Sequence, residues 1–168
     1  RPKILLTVYA TPKPDKKLLD SLIEEVKYRY NLDLDLGGFY KQFAKDKELG
    51  SIIKKWRGMR PGHPNSLYEY LIIGIILQNA TVRRSIQMFQ ALLENYGTLL
   101  EYDGKKLWCF WPPGGLKKVS EDDLRALKVG YRAKSIKKID EYFAKNEIDE
   151  FELRGKDLET QKDELLEL

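Results

Sequence analysis

The sequence predicts a mainly α protein: an orthogonal bundle of short helices, with one strand at its amino end. Three observations carry this prediction. A run apolar on every side, Leu67 to Leu77, passes through a polar turn, Gln78-Asn79-Ala80-Thr81, into a segment whose apolar residues recur at helical spacing. Other segments with that spacing lie on both sides, separated by short connectors rich in Gly and Pro. Only Lys3 to Ala10 reads as a strand, being short, β-branched and stopped by Thr11-Pro12-Lys13-Pro14.

In chain order, that strand is followed from Asp15 by an amphipathic helix. Its face is Leu18, Leu19, Leu22, Ile23, Val26 and Tyr30, with Glu24, Glu25, Lys27 and Arg29 outside it. Leu32, Leu34 and Leu36 alternate with Asp and end at Gly37-Gly38, an apolar connector. Short helices are predicted at Phe39 to Ala44 and at Glu48 to Arg57, the second with Leu49, Ile52, Ile53 and Trp56 inward. Gly58, Pro61, Gly62 and Pro64 form a rigid loop into the central pair. Leu67 to Leu77 is too long for an ordinary strand and too short to cross a bilayer, so it is a core helix. The next helix places Val82, Ile86, Phe89, Leu93 and Tyr96 on one face and closes at Gly97. Thr98 to Gly115 is read as an aromatic loop, with Trp108, Phe110 and Trp111 capping the core beside Pro112-Pro113. Ser120 then caps a short helix whose first turn is acidic, carrying Leu124 and Leu127 and ending at Gly130. From Tyr131 a helix buries Ile136, Ile139, Tyr142 and Phe143, with Lys134, Lys137, Lys138 and Lys145 mostly elsewhere. Asp157 to Leu168 is a last capped helix, with Leu158, Leu165 and Leu166 inward.

At 168 residues and 42% hydrophobic, the chain can bury a core, and one domain is the default expectation. Lys and Arg exceed Asp and Glu by 30 to 26, a balance that permits a polyanion partner without demanding one. One cysteine, Cys109, excludes an intrachain disulfide and a cysteine-ligated metal, and one histidine, His63, is not a metal site by itself. No signal peptide or membrane-spanning run is apparent, so the expectation is an intracellular protein without a membrane partner, and the sequon at Asn79 is read as accidental. Heavy Lys and Glu usage with few Cys, Met and His would suit a thermophile. The chain opens at Arg1 rather than Met and closes at Leu168 inside a helical pattern, which reads as a piece of something longer.

Two junctions repeat one theme, a polar or aromatic residue in a tight turn followed at once by arginine. Asn79 sits in the first, with Arg83 and Arg84 opening the next helix against its dipole; Gly130 permits the second, with Tyr131 and Arg132 opening the next. Helix amino termini bind phosphates, arginine forks bind phosphates or base edges, and an aromatic ring can stack on bases or wedge between them. Each residue also has a plain reading: Asn79 as a turn residue, Tyr131 as a core-edge aromatic, the arginines and the Lys134, Lys137, Lys138 face as solvated charge.

The order of the pieces adds to this. LIIGIILQNATVRRS, the helix to Gly97, the aromatic loop, the Ser-capped helix and LKVGYRAKSIKKIDEYF together resemble the helix-hairpin-helix DNA glycosylase superfamily of base-excision repair. Within it they look most like the branch of the 8-oxoguanine glycosylases and, more distantly, the bacterial 3-methyladenine glycosylases. KLLDSLIEEVKYRYNLDLDLGGFYKQF is similar to the helix that follows that branch's β-domain. The resemblance implies a division into residues 1–12, the last strand of an amino-terminal β-domain, and residues 13–168, the helical portion of a glycosylase domain. It implies that Asn79 fills the gap left by a flipped-out base, that Arg84 and Arg132 hydrogen-bond the orphaned partner base, and that Tyr131 wedges beside it, with Arg83 and Lys134 as further DNA contacts. The hairpin, the lysine nucleophile and its assisting aspartate are expected beyond Leu168, so no catalytic residue is assigned here. The implied activity is excision of an oxidised or alkylated base from duplex DNA, with strand cleavage through a lysine Schiff base, no cofactor, and a full-length monomer. Ala80 and Thr81 depart from the asparagine-rich turn of the nearest branch, which leaves the lesion and the opposite base open. The rival is a non-catalytic helical module that binds DNA or protein.

Overall fold

The structure, a computed structural model, describes residues 4–166. The chain divides into two compact units, Arg1–Pro64 and Asn65–Leu168, with the boundary at the end of the Pro- and Gly-rich loop.

In the first unit the expected strand does not form among the described residues: 4–10 carry no regular secondary structure, and Ile4 and Leu5 are 71% and 90% exposed. A strand is held by hydrogen bonds to a neighbour, and no described residue of this unit is in a strand. Lys3 lies outside the described residues. α1 (Lys16–Arg29) is capped by Asp15, whose carboxylate accepts from the Leu18 amide at 2.7 Å. α2 (Gly37–Phe43) and α3 (Leu49–Lys55) follow. The loop to Pro64 is tied back on α1: Arg29 donates to the Pro64 carbonyl and Asn31 to that of Pro61, each at 2.6 Å. The amphipathic face of α1 is present but incompletely covered, with Leu18 half exposed, and no described residue of this unit is buried.

The second unit holds the core. α4 (Leu67–Leu77) starts at a capping box in which Ser66 and Glu69 satisfy each other's backbone amides. α5 (Val82–Tyr96) is capped by Thr81. β1 (Thr98–Tyr102) and β2 (Lys105–Cys109) form an antiparallel hairpin in the segment expected to be an aromatic loop. Its two-residue turn is Asp103-Gly104, with φ of 49° and 67°, the left-handed pair that suits strand twist, and Glu101 faces Lys106 across the ladder. α6 (Glu121–Ala126), α7 (Arg132–Ala144), α8 (Glu150–Arg154) and α9 (Leu158–Leu166) complete the order.

α4 is apolar all round, yet it buries one stripe, Tyr68, Ile72 and Ile76, against α5 and α7. α5 buries Ser85, Met88 and Leu92, flanked by Phe89, Leu93 and Tyr96, which turns its inward face away from the expected one. Val82 and Ile86 are left 74% and 59% exposed. On α7 the predicted Ile136, Ile139 and Phe143 are buried, and Trp111, Leu116 and Val129 close the core from the connecting segments, with Leu124 from α6.

One buried carboxylate ties these pieces together. Asp140, on α7, is 1% exposed and accepts from the Tyr68 hydroxyl at 2.6 Å, the Gly114 amide at 2.9 Å and the Leu116 amide at 3.1 Å. A buried carboxylate is tolerable when donors surround it, and these three come from α4 and the Pro-Gly segment. Burial, helped by this hydrogen bond, raises the Tyr68 hydroxyl well above its ordinary pKa.

Candidate nucleic-acid interface

The two junctions singled out by residue type come together at one end of the second unit. α4 ends on Gln78, Asn79 takes a left-handed conformation with φ 46°, and Thr81 restarts the helix by accepting from the Arg84 amide at 3.3 Å. Asparagine is among the few residues that tolerate that conformation, and here it leaves the side chain solvent-exposed between two helix ends. The second junction follows the same logic. Lys128 and Gly130 both have φ 64°, wrapping the chain tightly around Val129, which is fully buried, and α7 begins immediately after Tyr131.

The Asn79 side-chain amide donates to the Tyr131 hydroxyl at 3.4 Å, a contact between residues 52 apart in the chain. Tyr131 is 59% exposed, and the Arg132 guanidinium lies 4.7 Å from its ring centroid, so the ring stands out from the surface on a cationic support.

The two arginines that sequence reasoning paired are placed differently. Arg84 is half-buried, and its guanidinium donates to the Lys128 carbonyl at 2.6 Å, one bond at the edge of the site. Arg132 is only 7% exposed. It donates to the carbonyls of Ile75 at 3.1 Å and Val129 at 3.3 Å, and closely to that of Gln78. Ile75 and Gln78 sit at the carboxy end of α4, where the dipole is negative; the Ile75 carbonyl also accepts from the Gln78 amide at 3.3 Å, and Arg132 completes the cap of that helix. Arg83 and Lys134 are exposed and flank the pair.

Two contributors escaped the sequence reading. The Lys128 carbonyl, which holds Arg84, had no sequence signal beyond its nearness to Gly130. Asp140 ties α7, the helix that follows Tyr131, to α4 and the Pro-Gly segment; an acid on the buried side of an amphipathic pattern was its one visible mark. Among the described residues no group of His, Cys, Asp or Glu could hold a metal ion, and no helix is long and apolar enough to cross a membrane.

No protein-family model matches the chain. It is 26% identical over 110 residues to the DNA-3-methyladenine glycosylase of Bacillus subtilis, covering 66% of this chain and 36% of that protein. It is 27% identical over 167 residues to the "Probable N-glycosylase/DNA lyase" of Methanothermobacter thermautotrophicus, covering 88% of this chain and 53% of that protein. The apo structure of the Clostridium acetobutylicum 8-oxoguanine glycosylase/lyase superposes with a TM-score of 0.72 at 22% identity, over 88% of this chain and 52% of that one. The chain thus spans about a third to a half of the length of these proteins. By sequence similarity it is homologous to DNA glycosylases, and its fold is that of the matched half of the Clostridium acetobutylicum 8-oxoguanine glycosylase/lyase.

Proposed function

We propose that this chain is the DNA-distorting part of a base-excision-repair glycosylase that removes an oxidised or alkylated base from duplex DNA. The observation that carries the reading is the Asn79–Tyr131 contact, a polar side chain and an exposed ring held side by side where two helices end and two begin. Extruding a base costs a few kcal/mol, and groups that fill the gap and engage the widowed base offset that cost. Asn79 enters the gap, Tyr131 wedges beside it, and Arg84 turns its fork from the Lys128 carbonyl to the orphaned base. Arg132 supplies any base contact from a guanidinium that is already engaged with three carbonyls. Arg83 and Lys134 meet the flanking phosphates.

Base removal itself is assigned to no residue of these 168. A glycosylase/lyase reading is supported by the names of the relatives and by the Clostridium acetobutylicum enzyme, which has been solved with double-stranded DNA carrying cytosine opposite 8-oxoG. In this reading residues 1–12 belong to an amino-terminal β-domain, in keeping with an apolar stretch that lies open at Ile4 and Leu5.

Equilibrium binding to matched duplexes with and without one abasic site tests the proposal. The expected result is tighter binding to the abasic duplex, a preference lost in Asn79→Ala and in Tyr131→Ala. Equal affinity for both duplexes would leave only a plain electrostatic binder, and no binding at modest salt would favour a protein-interaction module.

A further inference from the structure

The positive charges of the second unit are sorted by location. Arg125, Lys145, Arg154, Lys156 and Lys162 each pair with a carboxylate. Among the described residues no carboxylate pairs with Lys117, Lys118, Lys134, Lys137 or Lys138, and all but the half-buried Lys137 are exposed. These five are neighbours by construction. Lys134 and Lys138 are one turn apart on the same face of α7, and Lys137 donates to the Leu116 carbonyl at 2.8 Å, which brings the Lys117-Lys118 turn beside that face.

We propose that these five lysines form a track for the phosphate backbone of the same duplex, running from the Asn79–Tyr131 junction along α7. The track begins at the junction because α7 itself begins there, directly after Tyr131. Lys134 and Lys138 are about 6 Å apart along the helix axis, close to two nucleotide steps of a strand at about 3.4 Å each. It ends at Glu141, which returns negative charge to that face one turn later. Lysine suits this role, because a strongly hydrated point charge neutralises phosphate without reading sequence. Arg125, Lys145, Arg154, Lys156 and Lys162, by contrast, stand among carboxylates and pair with them, as surface cations in a solvating role commonly do.

The inference rests on the reading that the chain binds DNA, and its test separates the two. The variant Lys117→Gln/Lys118→Gln/Lys138→Gln leaves the Lys137 bond and every junction residue intact. Fluorescence-anisotropy titrations over a range of salt give the slope of log affinity against log salt. Each lost phosphate contact should reduce that slope by about 0.9, so the triple variant should lose roughly 2 to 3 units. Affinity for abasic and intact duplexes should fall by the same factor. A control, Lys145→Gln/Lys156→Gln/Lys162→Gln, removes equal charge from paired positions and should leave the slope unchanged. If the first variant keeps the parent slope, or the control loses as much, the track is wrong. A parent without abasic preference, alongside the expected slope change in the variant, would count against the junction reading alone; loss in the variant of a preference that the parent shows, or absence of DNA binding by the parent, would overturn the track. Should the triple variant unfold more easily than the parent, Lys118→Gln alone decides the matter with a change of about 0.9 against none.

Discussion

Replacing Arg132 with alanine should reveal a structural duty that its position after Tyr131 does not advertise. The guanidinium is 7% exposed and donates to three backbone carbonyls, two of them at the carboxy end of α4. A hydrogen bond from a charged group contributes about 1.5–3 kcal/mol net, and each buried carbonyl left without a donor costs roughly 1–3 kcal/mol. These overlap rather than add, because the Ile75 carbonyl keeps the Gln78 amide as a donor and water reaches part of the space vacated by the side chain. We therefore expect about 3–4 kcal/mol of lost stability, a large share of the roughly 5–15 kcal/mol of a typical domain. Arg84→Ala is the comparison. Arg84 makes one bond at an exposed edge, so its removal should cost at most about 1 kcal/mol while weakening abasic-duplex binding. Urea denaturation followed by far-UV circular dichroism measures both. Arg132→Ala with a midpoint equal to the parent's would refute the clamp and return Arg132 to the free base-reading role that the family resemblance implies. Arg132→Lys, which keeps the charge but loses the fork, should recover only part of the loss.

The buried staple is tested by Asp140→Ala, which strands the Tyr68 hydroxyl and the Gly114 and Leu116 amides and should cost about 3–5 kcal/mol by the same denaturation assay. Tyr68 gives a pH dependence. Its folded pKa is raised, so the folded state holds that proton more tightly than the unfolded chain, and the stabilisation is complete below the unfolded value of about 10 and lost as pH rises beyond it. Tyr68→Phe should remove that alkaline component, seen as a flatter stability profile above about pH 10, while lowering stability at neutral pH by about 1–3 kcal/mol. Gly97→Ala should loosen the join of α5 to the hairpin, because a Cβ there would lie 2.5 Å from the Cys109 carbonyl oxygen and 2.6 Å from that of Leu93. The expected cost is about 1–3 kcal/mol, with amide exchange accelerated first in β1 and β2.

The bounds of the central pair were legible because local signals agreed. The capping box of Ser66 and Glu69, the apolar run after it and the polar turn mark α4, while Thr81 and the apolar spacing mark α5. The direction in which α5 faces was less legible: Val82 and Met88 are equally apolar, and only the packed neighbours decide that Met88 goes inside. The hairpin was overlooked although Asp103-Gly104 is a strong turn signal, because six aromatic and proline residues in the segment drew it toward a loop reading. The front strand was expected from propensity alone, and strands depend on partners that propensity does not supply. At the site, residue types picked out side chains that the fold brings to one end of the second unit, and the resemblance proposed roles for them. Neither showed that Arg132 is engaged with the end of α4, since that requires knowing which carbonyls it meets in three dimensions.

The central claim is that Asn79 and Tyr131 enter a distorted duplex together, and the most direct measurement is the emission of a 2-aminopurine placed next to an abasic site. Unstacking by an inserted ring and amide raises that emission. The account predicts a rise on binding that disappears in both Asn79→Ala and Tyr131→Ala at saturating protein. Saturable binding by the parent with no change in emission would contradict it, showing a chain that holds DNA from outside without opening the stack.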